Sequence, residues 1–248
     1  MIRKINIRAG YGTLTFTITE SDGQIGVYPY PVKSDMSLPA NLREAFREQP
    51  YLRIGETDRD GKLLADATLS VVSPIMLMPD DDEMSPSAAD IDMMYGEVLT
   101  GHKGEEKHVI TIPELGVKAV FSVDSDLLLV VSDNISNVQV SNVMIPQWVS
   151  LYKEHFRNDG KRRLFATFHD RMLDICSFEQ HRIRFANTFE AQHAHDALYY
   201  ILFVWKQLGM NQEEDVLYIS GEMPHADWLK TRLMAYIRSI EYQPIFHS

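Results

Sequence analysis

The sequence predicts a mixed α/β protein built from two similarly ordered halves. Three observations carry that reading. Runs of alternating apolar and polar residues mark strands in both halves. Stretches with apolar residues at i, i+3, i+4 and i+7 mark helices between them. Residues 4–31 and 163–188 both read as strand, short turn, strand, short turn, strand, which points to an internal duplication.

The first half opens with a strand over 4–9, where Ile5 and Ile7 share a face, and the turn Gly10-Tyr11-Gly12. Thr13 to Glu20 alternates Leu14, Phe16 and Ile18 with threonines, a half-buried strand. Ser21-Asp22-Gly23 turns the chain into a third strand around Ile25 and Val27, stopped by Pro29 and Pro31. A helix is expected over 38–48, capped by Ser37, with Leu42, Ala45 and Phe46 on its apolar side. Thr68 to Met78 reads as strand, and Ser87–Leu99 as helix through Ile91, Met94, Tyr95 and Val98. Val109–Ile112 and Val117–Val123 form an expected strand pair. Leu127–Val131 is placed in a helix with Asp124 or Ser125 as its cap, Val138–Val143 in a strand, and Pro146 at the start of another helix.

After the polar linker 157–163 the second half repeats the pattern. Leu164–Phe168, Met172–Phe178 and Arg182–Phe185 are strands joined by His169-Asp170-Arg171 and Glu179-Gln180-His181. A helix is expected from Thr188 to Leu208, stopped by Gly209, apolar nearly all round, with Leu198, Ile201, Leu202 and Trp205 against the sheet. Val216–Ser220 is a buried strand. Pro224 opens a helix running through Ile240, and Ile245 and Phe246 add a last strand. Three antiparallel strands followed by alternating helices and strands is the ribonuclease-H-like order, and two copies side by side make the actin-like ATPase architecture. The expected lobes are 1–157 and 158–248.

Several segments strengthen this reading: Phe185-Ala186-Asn187-Thr188-Phe189, Asp196 to Leu202, and Leu217-Tyr218-Ile219-Ser220-Gly221. Through them the chain resembles an uncharacterised bacterial family with an actin-like ATPase fold. Its second half is also similar to the actin-like cytoplasmic proteins of pilus assembly and type II secretion. The resemblance implies shape and a scaffold role more than chemistry.

Composition excludes several classes. The chain has 248 residues, 45% of them apolar, and 24 Lys and Arg against 35 Asp and Glu give a net charge of −11. Such a surface is unsuited to broad phosphate neutralisation, so no nucleic-acid partner is expected. The single cysteine, Cys176, cannot form an internal disulfide, which fits a reducing compartment. Neither a signal peptide nor a run of ~18 apolar residues is present in the sequence. A cytoplasmic protein is expected.

The resemblance implies where ATP and Mg²⁺ would bind, between lobes, on hairpins of the type Asp-x-Gly-Thr. Glycine lets backbone N–H groups approach phosphate, and the acid positions the ion. The first hairpin has Gly10 and Gly12 but no acid; the second has His169 and Asp170 but no glycine. The adenosine turn, with Ser220 and Gly221, keeps one glycine and is followed by Glu222, whose charge repels phosphate. Those six residues are the nucleotide contacts if any exist. The expectation is a degenerate site on a non-catalytic scaffold or adaptor with protein partners, no catalytic residue, no metal and no cofactor. The alternative is an active ATPase or small-molecule kinase with divergent phosphate loops. His193 and His195, two apart on an expected helix, diverge too far to share an ion. Asp80-Asp81-Asp82-Glu83 reads as a solvated acidic loop, and Cys176 as a small packing residue rather than a nucleophile.

Overall fold

The computed structural model describes residues 3–243, except 11, 82–85, 100–104, 156–159, 170, 180 and 181. The chain divides into two compact units. Met1–Leu77, Asp81–Ile110 and Ala119–Ile145 form the first; Met78–Asp80, Thr111–Lys118 and Pro146–Ser248 form the second.

The chain begins with β1 (Lys4–Gly10), β2 (Thr13–Thr19), β3 (Ile25–Tyr30), α1 (Leu38–Glu48) and β4 (Leu63–Val71). Next come β5 (Ile75–Pro79), α2 (Ala88–Val98), β6 (Glu106–Ile112) and β7 (Val117–Val123). α3 (Ser125–Asn134) and β8 (Ile135–Asn142) complete this half. The main sheet has the order β3-β2-β1-β4-β8. Its first three strands are antiparallel, and β4 and β8 add in parallel. Register places Ile5, Ile7 and Ala9 opposite Ile18, Phe16 and Leu14, so one face is continuously apolar. α1 buries Leu42, Ala45 and Phe46, and Phe16 meets Tyr30 and Phe46 edge-on at 6.5 Å. The helix starts follow local chemistry: Ser37 Oγ accepts from Ala40 N–H, and the Asp124 carboxylate from Asp126 N–H.

The expected run Thr68–Met78 divides into β4 and β5, because Pro74 lies between them and cannot donate to a ladder. β4 also begins earlier, at Leu63. The segment β5-α2-β6-β7 is an insertion between β4 and α3, with its own sheet ordered β5-β7-β6. Its helix α2 therefore is not the second helix of the repeated order; α3 holds that place.

The second half contains α4 (Met144–His155), β9 (Arg163–His169), β10 (Met172–Glu179), β11 (Arg182–Glu190) and α5 (Ala194–Gln207). β12 (Val216–Gly221), α6 (Ala226–Leu233) and β13 (Ser239–Gln243) follow. The sheet order β11-β10-β9-β12-β13 matches the first sheet strand for strand, again three antiparallel and two parallel. The duplicated ribonuclease-H-like order is thus present in both units.

Several boundaries differ from the sequence reading, among them the helix starts at Met144 rather than Pro146 and at Ala226 rather than Pro224. Thr188, Phe189 and Glu190 extend β11, pairing with Asp174, Leu173 and Met172, and α5 starts only at Ala194. The β-branched and aromatic residues there favour the ladder. The buried side of α5 is Ala194, Ala197, Ile201, Val204 and Trp205, with Leu198 and Leu202 half-buried. Alanines at the contact let the helix sit close to the sheet, and Tyr199 and Phe203 remain exposed rather than enclosed. α6 ends at Leu233, and Ile240 belongs to β13 opposite Leu217, because Ser239–Gln243 alternates like a strand. Ile245 and Phe246 lie outside the described residues.

Candidate functional site

The second sheet has one face of the ordinary kind. Leu164, Ala166, Phe168, Leu173, Ile175, Leu217 and Ile219 pack beneath α5 and α6. Alternation sends the intervening residues to the opposite face. There Phe165 stacks on Tyr218 at 5.1 Å and packs against Phe178 at 5.7 Å, and Tyr152 of α4 meets Phe178 at 5.6 Å. Towards the hairpin end that face turns polar while remaining buried.

Register lines up Thr188, Asp174, Thr167 and Ser220 across four adjacent strands. Thr188 Oγ1 donates to Asp174 Oδ1 at 2.5 Å, and His169 Nε2 meets Asp174 Oδ2. Ser220 Oγ donates to Thr167 Oγ1 at 3.0 Å, and Gln147 Nε2 of α4 donates to the same oxygen at 2.6 Å. Asp174 is only 3% exposed, so its charge relies on these partners. Both carboxylate oxygens are engaged within the unit. Cys176 lies on the same face; burial first, then the Asp174 charge, push its thiol far above the ordinary range. It is a packing residue without thiolate character.

The residues singled out from sequence fall as follows. His169 and Ser220 join the polar row. Asp170 lies outside the described residues. Gly221 ends β12 with φ +88°, and a Cβ there would stand 2.0 Å from the Phe168 carbonyl oxygen. Its glycine is therefore required by backbone packing of β12 on β9. In the first unit, Gly10 is buried at the end of β1 opposite Thr13, and Gly12 takes φ +73° with open space around it. His193 precedes α5 in extended conformation, its backbone N–H donating to Asp196 at 3.3 Å, so the expectation that it lies on the helix is corrected. His195 packs on Trp228 at 4.3 Å. Asp80 pairs with Lys118 at 3.3 Å, whereas Asp82 and Glu83 are outside the described residues. Among the described residues no three His, Cys, Asp or Glu side chains gather as a metal cluster. Among the described residues no helix is long and apolar enough to cross a membrane.

Sequence reasoning missed Gln147, Thr167, Asp174 and Thr188. A signal existed: Thr167 interrupts the apolar run Leu164–Phe168, and Asp174 and Ser177 interrupt Leu173–Phe178. Only the strand register shows that they meet.

Among curated proteins none matched the chain. It is similar to a solved protein from Bacteroides thetaiotaomicron VPI-5482 described as having an actin-like ATPase fold and unknown function. The TM-score is 0.85 at 20% identity, covering 97% of this chain and 90% of the other. It is also similar to a chain of the PilM-PilN type IV pilus biogenesis complex, with TM-score 0.56, 11% identity, and coverage of 98% and 88%. The strand order, the duplication and these likenesses establish an actin-like ATPase fold, and the match of residues 3–240 to the family "Protein of unknown function (DUF3822)" makes this chain a member of that family.

Proposed function

We propose that this protein is a non-catalytic cytoplasmic scaffold or adaptor whose nucleotide loops have lost their chemistry. The carrying observation is the state of Asp174. It is the buried acid beside the second hairpin, and Thr188 and His169 occupy its two oxygens. In the scaffold reading this charge serves packing, because both of its oxygens are engaged within the unit. Two features support the same reading. Gly221 is consumed by its contact with Phe168, and the first hairpin offers glycines with no acid. These features support a site without magnesium-nucleotide chemistry. The likeness to a chain of the PilM-PilN complex supports a protein partner.

The competing reading, an ATPase or small-molecule kinase, makes the opposite prediction in two assays. A ligand that binds only the folded state must raise the melting temperature. We expect neither a melting shift with ATP and Mg²⁺ nor hydrolysis above background. A clear shift, together with hydrolysis abolished by Asp170→Ala or Asp174→Asn, would overturn the scaffold reading.

A further inference from the structure

The inserted helix α2 is apolar, yet the fold leaves most of its apolar stripe uncovered. Ile91, Met94, Tyr95 and Val98 recur at i, i+3, i+4 and i+7, a spacing that ordinarily faces a core. Only Tyr95 is buried. Its hydroxyl donates to the Pro74 carbonyl at 2.8 Å and accepts from Ser122 N–H at 3.2 Å, which pins α2 to the rest of the insertion. Val98 stays 65% exposed and Met94 38%. Lys107 of β6 stands over the Tyr95 ring at 5.4 Å and pairs with Asp92 at 3.3 Å. Alternation puts Val109, 44% exposed, on the same side of β6 as Lys107. The strand beside α2 thus carries a further exposed apolar side chain on its Lys107 side.

The rim of this surface is acidic. α2 carries Asp90, Asp92 and Glu97 and no Lys or Arg, while Glu105 and Glu106 lead into β6. Lys107 is paired inward with Asp92.

We propose that this face of the insertion binds an amphipathic helix of a partner protein, apolar towards Ile91, Met94 and Val98 and basic along its rims. The proposal names the partner chemistry of the scaffold reading above and rests on it. The helical spacing of the exposed stripe suits an occupant that offers its own anchors at i, i+3, i+4 and i+7. Methionine adapts to such anchors because its side chain is unbranched and polarisable. The basic rim follows from charge complementarity with Asp90 and Glu97. An anionic lipid surface would meet the same carboxylates and be repelled.

The test uses the full chain and a fluorescein-labelled Leu/Lys amphipathic peptide of about five helical turns, roughly 18 residues. Fluorescence anisotropy at physiological salt should show saturable binding. Met94→Ser combined with Val98→Ser should weaken it about tenfold. Both residues are exposed, and an unchanged melting curve would confirm that the variant folds. A peptide of the same composition with shuffled apolar periodicity should not bind. The proposal is overturned if the double variant binds like wild type, if the shuffled peptide binds equally well, or if anionic vesicles bind in preference to the peptide. ATP melting on the same samples separates the two readings. Failure of the peptide without an ATP response removes the docking site alone, whereas an ATP response removes the scaffold reading beneath it.

Discussion

Replacing Gly221 by alanine tests the closest backbone approach in the second unit. The new Cβ would stand 2.0 Å from Phe168 O, 2.8 Å from Phe168 C and 2.9 Å from Phe168 N. All three are backbone atoms of the neighbouring strand, so no side chain can rotate away. Holding an L residue at φ +88° costs about 1–2 kcal/mol. Overpacking that only a backbone shift relieves costs about 1–3 kcal/mol more. The sum, about 2–5 kcal/mol, is a large part of a domain's stability of about 5–15 kcal/mol. Gly12→Ala is the matched control. Its φ of +73° carries the same kind of strain with nothing within 4 Å of the added carbon. All three tryptophans, Trp148, Trp205 and Trp228, lie in the second unit, so their fluorescence reports its unfolding. With a urea slope of about 2 kcal/mol per molar, Gly221→Ala should lower that midpoint by about 1–2.5 M. Gly12→Ala should leave the fluorescence midpoint nearly unchanged and shift circular dichroism slightly. Equal effects of the two variants on tryptophan fluorescence would refute the reasoning, because the end of β12 would then relax away from Phe168 at no cost.

Two further outcomes follow from burial. Ile201→Ala, at a fully buried position of α5, should cost about 2–5 kcal/mol in urea unfolding, and Leu202→Ala, half-buried, clearly less. Cys176 should resist iodoacetamide at pH 8 in the native protein and react once unfolded. Because its native thiol is raised above the ordinary value of 9.0, the folded state holds that proton more tightly than the unfolded chain. Its stabilising contribution is complete below pH 9 and is lost as pH rises beyond it, by up to about 1.4 kcal/mol per pH unit. Cys176→Ala should flatten the fall in urea midpoint between about pH 8 and pH 10, about one unit on either side of that value.

Much of the architecture was legible in sequence because strands and turns are written locally. Leu14, Phe16 and Ile18 state their face by alternation, and Ser37 and Asp124 state their helix starts by capping chemistry. The repeat of three strands could be read at both ends of the chain for the same reason. What local pattern did not reveal was which elements are neighbours in space. Ser87–Leu99 has a sound helical stripe, but periodicity cannot tell that it belongs to an insertion or that most of the stripe stays open. Thr188 and Phe189 continue a strand because Asp174 and Leu173 wait opposite them, information held some fifteen residues away. The polar row was hidden by the same limit. Thr167 and Asp174 look like isolated polar interruptions of apolar runs, and only the ladder between β9 and β10 brings them opposite each other.

The two sheets share strand order and direction, yet their second faces have diverged, and this decides where chemistry could reside. In the first sheet that face carries Asn6, Arg8, Thr15, Thr17 and Thr68, all partly exposed. Ser70 Oγ donates to Asn6 at 2.9 Å there. In the second sheet the corresponding face is buried, with Phe165, Cys176, Phe178 and Tyr218 in its aromatic part and Gln147 and Tyr152 of α4 reaching it. The core faces under the helices remain apolar in both, which is what the fold itself requires. The two sheets therefore share the layers that hold each unit together and differ on the opposite faces. A polar group on the exposed face is solvated at no great cost, whereas Asp174 on the buried face must be satisfied from within the unit. His169 and Thr188 supply that satisfaction, which makes the acid part of the packing of the second unit.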